Sequence, residues 1–235
     1  MTESNTLSVI IPCLNEERNL KELLPFLIAE GKALIEEIIV VDGGSLDNSM
    51  AVAKSFGATV VQSSVKNRAA QLNMGAQHAK SRILYFVHAD SRPVADFANV
   101  INENLNKGKN AGCFRYRFDS DSILLQFNSW FTRFNGILSG GGDQTLYIKK
   151  SLFNSLGGFD EDFCIMEDFD LVRRIRQKSD FHVLPNEIIV SARKYIENSW
   201  LKVQLANFAA FSLFLLKVKP AWIKSLYLNF LNQKN

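Results

Sequence analysis

Cysteine is scarce in this chain of 235 residues and scattered. Cys13, Cys113 and Cys164 are odd in number and form no Cys-x-x-Cys pair. That excludes a disulfide framework and a cysteine-based zinc site, and it fits a reducing cytosol. Two glycine signatures are missing as well. There is no Gly-x-Gly-x-x-Gly after the first apolar run and no Gly-x-x-x-x-Gly-Lys-Ser/Thr loop, which argues against an NAD dehydrogenase and a P-loop NTPase. No basic segment interleaved with aromatics supports nucleic-acid binding. Low-complexity stretches are absent, and the short polar opening, Met1–Thr6, has no signal-peptide pattern. These absences predict a cytoplasmic globular protein.

What is present is ordinary in bulk and uneven in charge. Hydrophobic residues make up 47% and charged residues 22%, typical of a globular domain. The length suits one α/β domain or two small ones. The net charge is +3, yet Lys194–Asn235 holds six lysines, no arginine and one acid. A basic tail on a slightly acidic body points to an anionic surface, a membrane before a nucleic acid.

Three apolar runs in the first 90 residues each end at an acidic residue: Ser8–Leu14 before Asn15-Glu16, Glu37–Val41 before Asp42, and Ile83–Val87 before His88-Ala89-Asp90. Continuous apolar runs are the mark of buried parallel strands, and ligands of open α/β sheets bind beyond their carboxyl ends. If the three are neighbours, Glu16, Asp42 and Asp90 crowd one rim. Crowded carboxylates resist ionisation unless cations or donors offset them.

Between the runs lie helix signals. Leu20, Leu23, Leu24 and Leu27 share one face of a helix from Glu16 to Glu30, and further helices are predicted over Asp47–Phe56 and Asn67–Ala79 with a strand at Thr59–Gln62. The repeated βα pattern predicts a parallel sheet with right-handed crossovers. Further on, Pro93 is placed in the first turn of a helix running to Asn106. Ala111–Phe118 alternates like a strand with Arg115 and Arg117 on its exposed side. Ile123–Phe134 is aromatic-rich and helical in pattern, Ser139–Gln144 a glycine-rich loop, and Thr145–Ile148 a strand. Glu167-Asp168 opens a helix whose early acids and later arginines suit its dipole.

Each constellation has two readings. Glu16 is a ligand-facing acid, or a first-turn acid behind an Asn15 cap. Asp42-Gly43-Gly44-Ser45 lets backbone approach a ligand while its carboxylate accepts hydrogen bonds from a base or ribose, or it is a glycine-rich turn capped by Asp47. His88 and Asp90 sit two apart, on one face of a strand end, where Asp90 suits a hard Mg²⁺ or Mn²⁺ ion completed by substrate phosphates. The alternative there is an ordinary strand end. Arg68, Gln71 and Asn73 decorate the third helix as ligand contacts or as a solvated face.

Taken in order, Leu7–Glu16, Val40–Asp47, His88-Ala89-Asp90 and Glu167-Asp168 resemble the motifs of the inverting family 2 glycosyltransferases with the A-type nucleotide-sugar fold, over about residues 7–195. Asn67–Asn73 and Gly142-Asp143-Gln144 resemble a small bacterial-type subgroup. The resemblance implies a single Rossmann-like α/β/α domain with a mostly parallel sheet. Residues 1–90 would be its nucleotide half and 91–195 its acceptor half, with a helical tail over 196–235.

The resemblance also implies roles. Pro12, Glu16, Asp42, Gly43, Arg68 and Ala89 would hold the nucleotide, and Asp90 would hold Mg²⁺ or Mn²⁺ on the diphosphate. Asp168 would be the general base with Glu167 beside it, and Gly142, Asp143 and Gln144 would line the acceptor side. Ser191–Tyr195 resembles a basic-aromatic motif in which Arg193 would steady the departing diphosphate; its other reading is a solvated basic turn. The chain departs from the family's acidic triplet at His88, where Asp is usual. That leaves one carboxylate rather than two at the metal position.

The implied partners are a nucleotide-diphosphate sugar and an acceptor of unstated identity, lipid-linked in one reading. A nucleotidyltransferase would share an acid-rich site but more often shows a glycine-rich basic loop after its first strand, where this chain has Asn15-Glu16-Glu17-Arg18. A non-catalytic nucleotide-sugar-binding protein is the other rival, against which Asp90 and Asp168 count. In the tail, Leu205–Leu216 as a helix would reach about 18 Å, short of the roughly 30 Å hydrocarbon core. It would lie in the inner face of a membrane with its lysines at the headgroups, or pack on the body or a second subunit.

Overall fold

Alternation along the first apolar run decides the layering. In the computed structural model, which describes residues 5–137, 139–141 and 144–231, strand β1 (Leu7–Cys13) sends Leu7, Val9, Ile11 and Cys13 into one core and Ile10 into another. Strand β2 (Ile35–Asp42) splits likewise, Ile38 and Val40 to the first and Ile39 and Val41 to the second. A strand buried on both faces needs helices on both.

On the first face pack α1 (Glu17–Gly31), α2 (Ser49–Ser55), α4 (Phe97–Asn106) and Leu125 of α5 (Ile123–Trp130). On the second pack α3 (Arg68–His78), α6 (Lys150–Ser155) and α7 (Glu167–Lys178). Gly75 lets α3 lie close to the sheet, because a methyl there would collide with Ile10 Cγ2. The result is the three-layer α/β/α domain that the motifs imply.

The remaining strands are β3 (Thr59–Gln62), β4 (Ile83–Phe86), β5 (Ser91–Arg92), β6 (Ala111–Phe118), β7 (Leu146–Lys149) and β8 (His182–Val190). Their order across the sheet is β3-β2-β1-β4-β7-β6-β8-β5. β2, β1 and β4 are adjacent and parallel, so the three acid-ended runs do finish side by side. β7 runs antiparallel to both β4 and β6, and β5 antiparallel to β8.

Several expectations shift. Pro93 lies outside the helix it was placed in. Arg92 still pairs with Ile189 of β8, and the chain reaches α4 only after Asp96, which is in left-handed conformation at φ 57° and donates its backbone N–H to Glu30 Oε2. Asn15 does not cap α1: its φ of 56° turns it away, and its Oδ1 accepts the Leu46 N–H at 2.7 Å. The aromatic segment after Ser122 is helical only to Trp130 and then tightens into a 3₁₀ turn over Phe131–Arg133. Strand β8, whose pairing with β6 skips Pro185 and Asn186, escaped the periodicity reading.

The tail forms α8 (Arg193–Glu197), α9 (Trp200–Leu215) and α10 (Pro220–Phe230). Ala210 and Phe214 of α9 and Ile223 of α10 bury against Phe163, Ile165, Met166 and Phe169, so the tail packs on the body. No helix among the described residues is long and apolar enough to cross a membrane.

Candidate active site

The turn after β2 builds the floor. Asp42 is 1% exposed, and its carboxylate accepts the backbone N–H groups of Gly44 (3.0 Å) and Ser45 (3.1 Å) together with the Ser45 hydroxyl. Ser45 Oγ in turn accepts the Asn15 N–H at 2.8 Å. Asp47 accepts from Ser49 and from the Glu17 N–H, and Ser49 Oγ accepts the Glu16 N–H at 2.8 Å. The Asp-Gly-Gly-Ser-Leu-Asp run thus pins the loop that carries Glu16. Asp42, expected among the nucleoside contacts, has its carboxylate engaged by this turn.

Beyond the ends of β1, β2 and β4 opens a cavity of about 390 Å³. Pro12, Glu16, Gly43, Arg68, Ala89 and Asp90 all line it, as do His88 and Lys66. Gln71, buried beneath, donates to Cys13 O (3.0 Å) and Val41 O (2.9 Å), tying the two strand ends together. A side chain at Gly43 would meet Gln71 Nε2 at 2.9 Å and press on the amide that ties the two strand ends. Burial raises the Glu16 carboxyl above its usual value; the Asn19 amide opposes this, Asp90 adds to it and Arg193 offsets part. The crowding on the rim is therefore between Glu16 and Asp90, with Arg193 of α8 as a nearby cation.

Asp90 and His88 face this cavity together. No group of three or more His, Cys, Asp or Glu side chains among the described residues could hold a metal ion by itself. That donor set fits Mg²⁺ or Mn²⁺ only as ions share a site with phosphates, taking one or two protein ligands and the rest from substrate and water.

A second cavity of about 640 Å³ adjoins the first, and Arg68, Cys164 and Lys224 belong to both walls. Asp168 and Gln144 line it. Met166, at φ 67°, turns the chain sharply into α7, and the acids Glu167, Asp168 and Asp170 follow in its first turn, where the helix dipole favours them. Arg68 Nε pairs with Glu167, and Arg68 Nη2 lies 3.5 Å from Asp168 Oδ2. Glu167 is 1% exposed and faces inward, whereas Asp168 reaches the cavity.

The structure thus gathers Pro12, Glu16, Gly43, Arg68, Ala89 and Asp90 at one cavity and Asp168 at the other, with Arg193 close to Glu16. Gln144 reaches the second cavity, but its amide braces the loop, donating to Phe114 O (2.9 Å) and accepting the Gly140 N–H (2.6 Å). Gly142 and Asp143 lie outside the described residues. The sequence reading missed Lys66, Cys164 and the contribution of α9 and α10 to the cavity walls, including Lys224. Only contact across the fold reveals them, since a lysine after Trp222-Ile223 carries no local signal.

A sequence model for glycosyl transferase family 2 matches residues 8–168. An uncharacterized glycosyltransferase of Rickettsia typhi is 26% identical over 211 residues, 82% of this chain and 65% of the relative. The chain therefore spans just under two thirds of that relative's length. Among solved structures, Staphylococcus aureus TarS 1–349 superposes with a TM-score of 0.68 at 16% identity, covering 97% of this chain and 71% of that one. A mannosyltransferase from Pyrobaculum calidifontis in complex with GDP-Man and Mn²⁺ gives 0.67 at 18% identity, covering 87% and 62%. At such identities the likeness is one of fold.

Proposed function

This chain belongs to glycosyl transferase family 2, and from that premise we propose that it moves a sugar from a nucleotide-diphosphate donor to an acceptor hydroxyl with inversion, Asp168 acting as general base. One observation carries the reading. Asp168 stands on the wall of the larger cavity, and Arg68 joins it to the seam where that cavity meets the smaller one. A donor in the smaller cavity and an acceptor in the larger would meet beside that carboxylate.

In this reading the nucleoside lies against Pro12, Gly43 and Ala89, near Glu16. Its diphosphate extends toward Asp90, with Lys66 and Lys224 on the wall and Arg193 nearby. Asp90 and His88 would hold Mg²⁺ or Mn²⁺, which when bound offsets charge on the diphosphate. The bond from the anomeric carbon to the diphosphate oxygen breaks, and the acceptor oxygen bonds to that carbon from the opposite face. The hydroxyl proton passes to the Asp168 carboxylate, and the electron pair leaves with the nucleoside diphosphate. Fixed cations around the leaving group act where charge develops, typically the largest catalytic contribution. The GDP-Man and Mn²⁺ of the Pyrobaculum complex support a donor and a metal of this class.

The tail supplies a second element of the proposal, peripheral contact with an anionic membrane face. Leu201, Leu205, Leu216, Trp222 and Leu226 are exposed on α9, α10 and the connection between them, with Lys217 and Lys219 among them.

The test of transfer is incubation with UDP- and GDP-sugars and Mn²⁺. Slow release of nucleoside diphosphate with an anomerically inverted sugar supports the reading. Pyrophosphate release from triphosphates would make the chain a nucleotidyltransferase, and no turnover with tight binding would make it a binding protein.

A further inference from the structure

The larger cavity is walled by aromatic rings, and its amides are engaged among themselves. Asn128 and Gln204 direct their NH₂ groups at the Tyr195 hydroxyl, at 3.5 and 3.3 Å, and Tyr227 donates to Asn207 Oδ1 at 2.9 Å. Gln144 is bound to backbone at both ends. A polyhydroxylated acceptor would need such groups pointed at it, because each hydroxyl buried without a partner loses its hydrogen bonds to water with nothing in return. Charged groups on the wall are Arg68, Asp168, Lys194 and Lys224, and much of the remainder is the faces of Phe131, Phe169, Phe208, Phe211 and Tyr227.

The mouth continues the theme. Phe131 lines the cavity and is also half-exposed, within an edge-to-face cluster with Phe127 and Trp130 at centroid distances of 4.9 and 5.2 Å. Phe208 of α9 also lines the cavity and is 72% exposed. Lone exposed apolar residues are commonplace, but exposed aromatics that also line a largely apolar cavity mark a ligand path.

We infer that the acceptor carries its hydroxyl on an extended hydrocarbon body, which lies along the aromatic wall and leaves between Phe131 and Phe208. The inference rests on the proposed function, since it names the acceptor that the Asp168 carboxylate would deprotonate.

Calorimetric titration of the full chain with 1-hexanol, 1-octanol and 1-decanol, and with glucose and glycerol, tests it. Affinity should rise about four-fold per added methylene, and neither polyol should bind more tightly than hexanol. Phe208→Ser, at an exposed position that folding does not depend on, should weaken decanol about ten-fold or more, and Phe131→Ser should do the same. Ile28→Ser, exposed on α1 and outside both cavities, should leave decanol binding unchanged. Affinity independent of chain length, tighter binding of glucose, or equal loss in Ile28→Ser would overturn the inference. UDP and GDP titrations with Mn²⁺ separate the two claims. If alkanols bind as described but no nucleoside diphosphate does, the transferase reading fails while the hydrocarbon site stands.

Discussion

Arg68 Nη2 stands 3.5 Å from Asp168 Oδ2, while its Nε is held by the buried Glu167. One guanidinium at the head of α3 thus fixes two neighbouring carboxylates at the head of α7, a hundred residues away. The buried one anchors the cation, and the accessible one is presented to the cavity.

The two acids should therefore respond differently. Asp168→Asn keeps shape but cannot take a proton, so transfer should fall by about 10²-fold or more with donor affinity nearly intact. Glu167→Gln removes the charge that anchors Arg68. It should cost up to about 1.5–3 kcal/mol of stability, less where solvent screens the half-exposed Arg68, with a smaller loss of turnover. Turnover, donor affinity and urea melts of both variants are the measurements. Full turnover in Asp168→Asn would remove it as the base.

Asp90→Ala should abolish the enhancement of nucleoside diphosphate binding by Mn²⁺. Asp90 follows His88 by two residues on that wall, and one or two carboxylates are what such ions take from protein. Titrations of wild type and variant, with metal and with chelator, decide it; unchanged metal dependence would take Asp90 out of the site.

Cys164 lines both cavities and is partly exposed, whereas Cys113 is buried and its thiol is pushed up to about 12 by burial. At pH 8, iodoacetamide should label Cys164 and leave Cys113 untouched, and UDP with Mn²⁺ should slow the Cys164 reaction if it fills the site. Peptide mass spectrometry reads both. The same burial predicts a stability trend. The Cys113 thiol favours the folded state fully below its ordinary 9.0, and that contribution is lost as pH rises from 9.0 through about 12.

Flotation with anionic liposomes should carry the full chain upward, and Lys217→Gln/Lys219→Gln should lose that behaviour in proportion to the charge removed. Failure of the wild type to float would leave the tail as wall and packing element alone.

Local pattern was enough for the nucleotide half. Leu20, Leu23, Leu24 and Leu27 share a helical face, the strands are continuous apolar runs, and acids close them, so backbone periodicity and the parallel βα rule together put Glu16 and Asp90 at one rim. The same logic does not decide the role of Asp42, whose carboxylate bonds Gly44 and Ser45 of its own turn. Whether a carboxylate faces a ligand or closes its own turn depends on where Ser45 and the Asn15 loop lie, and that is a matter of contacts between distant segments. The placement of Pro93 failed, because pairing of Arg92 with β8 outweighed a first-turn preference for proline.

What the sequence by itself determined is the family, the α/β alternation and the identity of most acids at the site. Each rests on interactions within a few residues or on an ordered set of motifs. Only the tertiary structure decided which acid of the Glu167-Asp168 pair faces the cavity, that Arg68 links them, and that α9 and α10 form the far wall with Phe208, Tyr227 and Lys224. Those residues come from segments separated by up to 159 positions, Arg68 to Tyr227, and nothing in a local pattern records which of them the packed core brings within reach.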